Sequence, residues 1–543
     1  LKKVLKTAKM QNQKTGKLKM EIEKIKNSFS KFKNKNFRNN QKEIIEEIIK
    51  NKKKVIFLKA DTGFGKSLVA ACLSRYYNNS LIVVHSKALQ HQLRNDFPEI
   101  PLLKGRSNYP CGARKGKTAN ECMLINSNEC NYACPYNIQK RRVAISPMGI
   151  LNYNYYLLES NYVGMFSGRK FIVCDEADLF IDILENFVSL TISENMVRNL
   201  SISMPKYKTT RSDKSIDDWH NWAMTTLKIV EDKIEDIKSD IEFINNNDID
   251  SLKKELENLT SLKNKLTIFI NNVNKTWLYE VIEHNMSKYH KFSPTWLTRS
   301  LVEQFFLKHV TDKVVFMSAT FHPVEIISQL TGLTLDEIGY YEISSDFPKT
   351  NRPIYLNAVG DLSYNSFEVD VHKIITEINN IMNKYPNDKG LIHCTNYKLR
   401  DRIIQDKRYI DSNNRNRFIT HNTSDRNEKL RKFKANKTDN KVLISPSMER
   451  GIDLPDKLCR FIIVAKAPFL NVKDKKVSAR IYSRKGFKWY ISEASLTLEQ
   501  MCGRGNRHKN DICDIYILDD AAKRLILDNW NNFGNHFKKC LVR

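Results

Sequence analysis

The sequence predicts an α/β protein built on two doubly wound parallel sheets. Three observations carry that prediction. Short apolar runs alternate with helical stretches from Val55 onward, namely VIFL at 55–58, LIVV at 81–84 and FIVC at 171–174, as expected of strands covered by helices on both faces. The pattern returns in VVFM at 314–317, GLIHC at 390–394, KVLIS at 441–445 and RFIIVA at 460–465, so two sheets are implied. The chain of 543 residues has room for about three or four domains of the usual size.

The chain opens on a basic segment. Residues 1–36 hold 12 lysines against two acids, Glu21 and Glu23, and are expected to form a solvated, flexible tail. The whole-chain charge of +28 favours a polyanion, which makes nucleic acid the default partner, with Lys-, Asn- and Ile-rich compositional drift as the bland alternative. No apolar run approaches the roughly 20 residues of a membrane span, and the Lys-rich start lacks the apolar core of a secretory signal. A cytoplasmic protein in a reducing compartment, with no membrane partner, is therefore expected. Cys72, Cys174, Cys394, Cys459, Cys502, Cys513 and Cys540 are scattered, several in or beside apolar runs, and read as buried thiols.

Between the two groups of strands the periodicity changes. Leu227, Val230, Ile234, Ile237, Ile241 and Ile244 recur at spacings of three and four, followed by the polar stretch 245–248 and then Leu252, Leu256, Leu259, Leu266 and Val273. This predicts an antiparallel helical hairpin.

The chemistry-bearing motifs sit at the ends of the predicted strands. ADTGFGKS at 60–67 follows VIFL and precedes an apolar helix, the context that validates a phosphate loop. Thr62, Gly63 and Gly65 shape the loop around the phosphates, Lys66 offers a charge to the β/γ oxygens, and Ser67 is a ligand for Mg²⁺. FIVCDEAD delivers Asp175 and Glu176 at a strand's carboxyl end, the first to hold Mg²⁺ and the second to orient or deprotonate the attacking water. Upstream, Arg38 and Gln41 in NFRNNQKEII are candidate nucleotide contacts, with the Gln41 amide suited to the adenine edge. Ser318, Ala319 and Thr320 form a small hydroxyl-bearing strand end. The second group of strands contributes SMERGIDLPD, with Arg450, Gly451 and Asp453, and QMCGRGNRH, with Gln500, Gly503, Arg504 and Arg507. The two arginines, three apart, are expected on one face of a helix, pointing across a cleft at the γ-phosphate of ATP.

From about Phe37 to Asp520 these motifs, with LKGRSNYPC at 103–111, the run from Ala133 through IQKRRVAISPMGILNYNYYL, and KAPFLNVKDKKVSAR from Lys466, resemble in order and spacing the XPD/DinG-type superfamily 2 DNA helicases. The departures are DEAD at 175–178 where that family more often has DEAH, and Cys513 where glycine is common. The resemblance implies two RecA-like motor domains that clasp ATP·Mg²⁺, translocation 5′ to 3′ on single-stranded DNA, unwinding of duplex DNA, and a monomer; pairing of the hairpin between chains is the alternative.

Four further cysteines, Cys111, Cys122, Cys130 and Cys134, fall between the phosphate loop and the acidic motif. Their spacing lacks the paired knuckles of structural zinc and leaves zinc and iron–sulfur ligation open. The resemblance implies a [4Fe–4S] cluster. Arg106, Arg114, Lys115, Lys117, Lys140, Arg141 and Arg142, with Tyr109, Tyr132 and Tyr136 interleaved, suit phosphate neutralisation and base stacking, against a merely solvated basic face. The expected layout is a motor domain over 37–103, 147–185 and 301–345, a cluster insert over 104–146, a helical arch-like insert over 186–300, and a second motor domain over 346–543. An RNA helicase or nucleic-acid-dependent remodeller is the rival enzyme reading, and a non-catalytic nucleic-acid scaffold the rival outside enzymology.

Overall fold

The structure, a computed structural model, describes residues 16–112, 115–121, 134–209, 212–243, 249–284, 286–448, 452–483 and 485–542. Strands β1 (Val55–Ala60), β2 (Ser80–Val84), β3 (Met148–Asn152) and β4 (Arg169–Asp175) come first. Strands β5 (Leu190–Ser193), β6 (Trp277–His284) and β7 (Ser287–Pro294) follow, then β8 (Val310–Ser318) and β9 (Ile338–Ile343). The remaining strands are β10 (Ile354–Tyr355), β11 (Gly390–His393), β12 (Phe418–Thr420), β13 (Val442–Ser445), β14 (Phe461–Val464), β15 (Asp514–Ile517) and β16 (Leu541–Val542).

Two parallel sheets result, as the sequence predicts. The first has the order β3-β2-β4-β8-β1-β9 and the second β12-β13-β11-β14-β15-β10-β16. The apolar runs are continuous because both faces of each sheet are covered. Along β1 the alternation of a strand sends Val55 and Phe57 into one core, with Phe180, Phe306, Phe316 and Phe321, and Ile56, Leu58 and Ala60 into the opposite one, with Ile82, Val173 and Val315. Phe57 stacks on Phe316 at 4.9 Å. The second sheet has its own two cores, one around Leu443, Val464 and Leu498 and one around Ile375, Ile392 and Ile463.

The helical hairpin forms as expected, with helices Asp213–Phe243 and Ile249–Asn272; Ile244 and 245–248 lie outside the described residues. Val230, Ile234 and Ile237 pack with Leu259 and Leu266. A three-stranded antiparallel sheet, β5-β7-β6, closes the base of the hairpin. The sequence reading did not anticipate it, because YEVIEH and SKYHKFSP alternate apolar with charged residues and carry no long apolar run. Its aromatic side chains complete the hairpin core: Trp219 lies 5.0 Å from Phe292, and Phe269 lies 5.2 Å from both Trp277 and Phe292.

The expected flexible tail needs a correction. Residues 16–27 are helical, and Ile22 and Phe29 are wholly buried in the core that contains Phe97 and Leu73. Phe29 meets Phe97 edge-on at 5.2 Å, and Phe32 stacks on the same ring at 5.0 Å. Lys26, buried to 2% exposure, pairs with Glu23 and donates to the Lys35 carbonyl. Three apolar side chains outweigh the local positive charge, because Lys24 and Lys31 stay in water and the buried Lys26 is paired.

The separate hairpin core yields one expectation. Trp219→Ala removes a fully buried ring whose Nε1 donates to the Tyr207 carbonyl at 2.8 Å. It should destabilise the hairpin and its sheet by about 3–5 kcal/mol, read as an earlier urea transition, while nucleotide binding at the first sheet persists.

Candidate nucleotide and coupling site

The site begins where β1 ends. After Ala60 the chain turns through Gly63 and Gly65, at φ +85° and +86°, a left-handed conformation that favours glycine. The helix Lys66–Tyr77 then starts, so its first N–H groups point into the loop and make an anion site. Lys66 Nζ donates to the Ala60 carbonyl at 2.7 Å and approaches that of Asp61 at 3.4 Å. Thr62 and Ser67 are half-buried along the same loop.

Gln41 contacts the phosphate loop from the helix that precedes β1. Its Oε1 accepts the Arg38 N–H at 2.8 Å and its Nε2 donates to the Phe64 carbonyl at 2.6 Å, inside the protein. A Cβ on Gly65 would stand 2.5 Å from that nitrogen. Arg38 donates to the Gly63 carbonyl. Both residues therefore brace the phosphate loop.

The acidic motif lies at the end of β4. Asp175 is buried, its Oδ1 accepts the Glu176 N–H at 3.0 Å, and its carbonyl accepts from the Tyr153 hydroxyl at 3.3 Å. Glu176 has φ +51°, a conformation that costs a non-glycine residue about 1–2 kcal/mol and turns its carboxylate out of the strand. Its Oε2 comes within 3.9 Å of His85 Nδ1. Crowding by the cleft walls, helped by Asp175 and Asp178 and opposed by Arg504 and Lys66, pushes the Glu176 carboxyl up to about 7. The same desolvation raises Asp175 against the pull of Lys66, and lowers Lys66 against the pull of Asp175 and Asp61.

The second sheet supplies the other wall. The helix Gly486–Cys502 carries Gln500 in its last turn, and Gln500 Nε2 donates to Asp178 Oδ2 at 2.9 Å and to Thr320 Oγ1 at 2.8 Å. Ser318 Oγ donates to the other oxygen of Asp178 at 2.7 Å. Asp178 thus joins the acidic motif, the end of β8 and the second domain. Its role escapes a reading by sequence, since Ser318 and Thr320 carry little information until their partners are known.

Arg504 and Arg507 are not on a helix. The helix stops at Cys502 with Gly503 as its cap, and both arginines lie in the loop beyond, where a Cβ on Gly505 would stand 2.3 Å from Cys513 Sγ. They still converge: Arg504 Nη1 and Arg507 Nη2 donate to the Ile452 carbonyl at 3.3 and 3.1 Å. Asp453 pairs with Arg507 and so holds an arginine. Across the cleft the Arg504 charge acts on Glu176 and that of Arg507 on Lys66. Arg450 and Gly451 lie outside the described residues.

Buried ion pairs flank this contact. Lys59 of β1 faces Glu499 at 3.7 Å, both almost fully buried; a lysine in an otherwise apolar strand was the sequence signal for such a partner. Glu185 takes Lys476 at 2.5 Å and also Arg480, whose guanidinium sits 4.9 Å from the Trp296 ring and 4.8 Å from that of Trp489.

Of the four clustered cysteines, Cys122 and Cys130 lie outside the described residues, as do Arg114 and Tyr132. Cys111 packs against the apolar cluster that contains Cys134, Ala119 and Tyr136. Lys115, Lys117, Arg141 and Arg142 are exposed, but of the expected stacking aromatics Tyr109 and Tyr136 are not. Tyr136 is buried and shares a 2.6 Å hydrogen bond with the Tyr155 hydroxyl, Tyr109 is partly buried, and Lys140 is paired with Glu159 at 2.7 Å.

Comparison with known proteins agrees with this geometry. A family model described as the helicase C-terminal domain matches residues 378–538, and one described as the type III restriction enzyme res subunit matches 34–177. The ATP-dependent DNA helicase CHL1 of Saccharomyces cerevisiae is 26% identical over 180 residues, a match covering 29% of this chain and 20% of that protein. The chain therefore aligns with about a fifth of that relative's length. A solved XPD helicase superposes over 92% of this chain and 99% of its own with a TM-score of 0.59 at 15% identity. S. tokodaii Xpd4 does so over 93% and 100% with a TM-score of 0.54, also at 15% identity. The fold is that of these solved XPD helicases, and the helicase C-terminal match spans most of the second sheet. In motif order the chain resembles the XPD/DinG-type helicases.

Two substitutions separate binding from coupling. Lys66→Ala should abolish ATP hydrolysis with an unchanged circular dichroism spectrum. Gln500→Ala removes a hydrogen bond to a carboxylate worth about 1.5–3 kcal/mol and should lower kcat roughly tenfold or more, with ATP binding, followed by a fluorescent analogue, changed much less.

Proposed function

We propose that the protein is an ATP-dependent DNA helicase that moves along single-stranded DNA and separates duplex DNA. The observation that carries this reading is the bridge from Gln500 to Asp178 and Thr320, which ties closure of the second domain to the acidic motif beside the phosphate loop. A buried carboxylate, Asp175, and the Ser67 hydroxyl are hard oxygen donors suited to Mg²⁺, which when bound neutralises phosphate charge. Lys66 and the loop N–H groups bind the phosphates, Glu176 orients the attacking water and receives its proton, and Arg504 and Arg507 stabilise charge on the γ-phosphate. Hydrolysis weakens the attraction between the two walls, and the change in their separation drives translocation.

The direction, 5′ to 3′, follows from the resemblance. So does a [4Fe–4S] cluster on Cys111, Cys122, Cys130 and Cys134, with zinc as the alternative. Cys111 and Cys134, which belong to or border one apolar cluster, are thiols of the kind that hold such a group, and the segment that bears the four cysteines is the wedge in this proposal. RNA in place of DNA is the competing substrate, since DEAD at 175–178 is shared with RNA remodellers. Among the described residues no helix is long and apolar enough to cross a membrane. A monomer working in a reducing compartment fits the thiolate site.

The test uses anaerobically purified protein with ATP, Mg²⁺ and partial duplexes carrying a 5′ or a 3′ single-stranded tail. Unwinding of the 5′-tailed DNA alone is expected; ATP hydrolysis stimulated by RNA and not by DNA would overturn the substrate. Cys122→Ser should retain much of the DNA-stimulated hydrolysis and lose unwinding, and normal unwinding by that variant refutes the wedge.

A further inference from the structure

We propose that an exposed aromatic shelf at the start of the helix Gly486–Cys502 is a base-stacking platform for single-stranded nucleic acid, set at the far end of the helix whose last turn carries Gln500. This inference rests on the reading of the chain as a nucleic-acid motor and adds a contact surface on the second domain.

The shelf is built from three neighbouring rings. Phe469 and Tyr490 are stacked, with centroids 5.6 Å apart and planes 21° apart, and Phe487 lies 6.4 Å from Tyr490. The Tyr490 hydroxyl donates to the Leu470 carbonyl at 3.0 Å, which fixes the loop that carries Phe469. Phe487 is 62% exposed, and Tyr482, one turn earlier in the chain, is 88% exposed. Large rings left together in water mark an interaction surface.

The charge around the shelf selects the partner. Residues 466–490 contain six lysines and two arginines against one acid, Asp474, and that carboxylate caps the next helix by accepting the Val477 N–H at 2.9 Å. Lys473, Lys475, Lys485 and Lys488 are exposed. Protein interfaces are depleted in lysine, whereas flat aromatic faces rimmed by cations match bases and phosphates.

The shelf is also mechanically connected. Trp489, next to Phe487 and Tyr490 in sequence, is 3% exposed and packs edge-on against Trp296 at 5.7 Å with the Arg480 guanidinium beside it. The start of the helix is thereby anchored to the first domain's side of the seam. A helix of 17 residues spans about 25 Å, so a strand stacked at its start and the nucleotide cleft at its end act on one rigid body.

The experiment uses the full chain, a fluorescein-labelled oligothymidylate, and ATP hydrolysis with and without that strand. Phe487→Ala, which removes an exposed ring, should raise the dissociation constant and the half-stimulating concentration roughly tenfold while leaving hydrolysis without the strand unchanged. Phe487→Trp should restore both, and the defect should shrink on an abasic strand. Wild-type binding and stimulation in Phe487→Ala overturn the platform, and a defect of equal size on the abasic strand overturns stacking as its cause. A wild-type chain that neither binds nor responds to the strand overturns the motor reading, and the platform with it.

Discussion

The cleft depends on a single carboxylate, Asp178. It accepts Ser318 from the end of β8 and Gln500 from the second domain, so one of its oxygens is held within the first domain and the other across to the second. Losing a donor to a half-buried carboxylate costs stability. The acidic motif and the second domain are thus joined through one side chain. The XPD/DinG-type helicases that the motifs resemble more often have histidine here; a carboxylate is a pure acceptor, which suits a donor amide and a donor hydroxyl.

Around that bridge the cleft is electrostatically tense. Desolvation opposes charge on Lys66, Asp175 and Glu176, while the neighbouring charges of Asp178, Arg504 and Arg507 act on members of that group. A polyanion with a divalent cation relieves this arrangement, because it supplies partners to cations and carboxylates together. The buried pairs Lys59–Glu499 and Glu185–Arg480 flank the cleft. They hold the two domains in register, and a lost partner would leave a charge stranded in a low-dielectric seam.

Much of this was legible in the chain. The two sheets were readable because parallel strands covered on both faces must be continuously apolar, as VIFL, LIVV, FIVC and KVLIS are. The phosphate loop was readable because its glycines and lysine serve a local backbone geometry. The β5-β7-β6 sheet was not, since its strands owe their stability to Trp219 and Phe269, contributed by the two hairpin helices. Nor was docking of residues 16–36, where Ile22, Phe29 and Phe32 are buried or partly buried and Lys26 follows them inside with Glu23 as its partner.

By itself the sequence determined the α/β class, the phosphate loop, the acidic strand end and the resemblance that links them, because each of these is a property of contiguous residues. Only the tertiary structure decided that Gln41 braces a loop, that Arg504 and Arg507 act from a turn, that Tyr136 is core, and that Asp178 is the bridge. Those roles depend on which distant groups meet, and hydrogen bonds and ion pairs leave no periodicity behind in the chain that makes them.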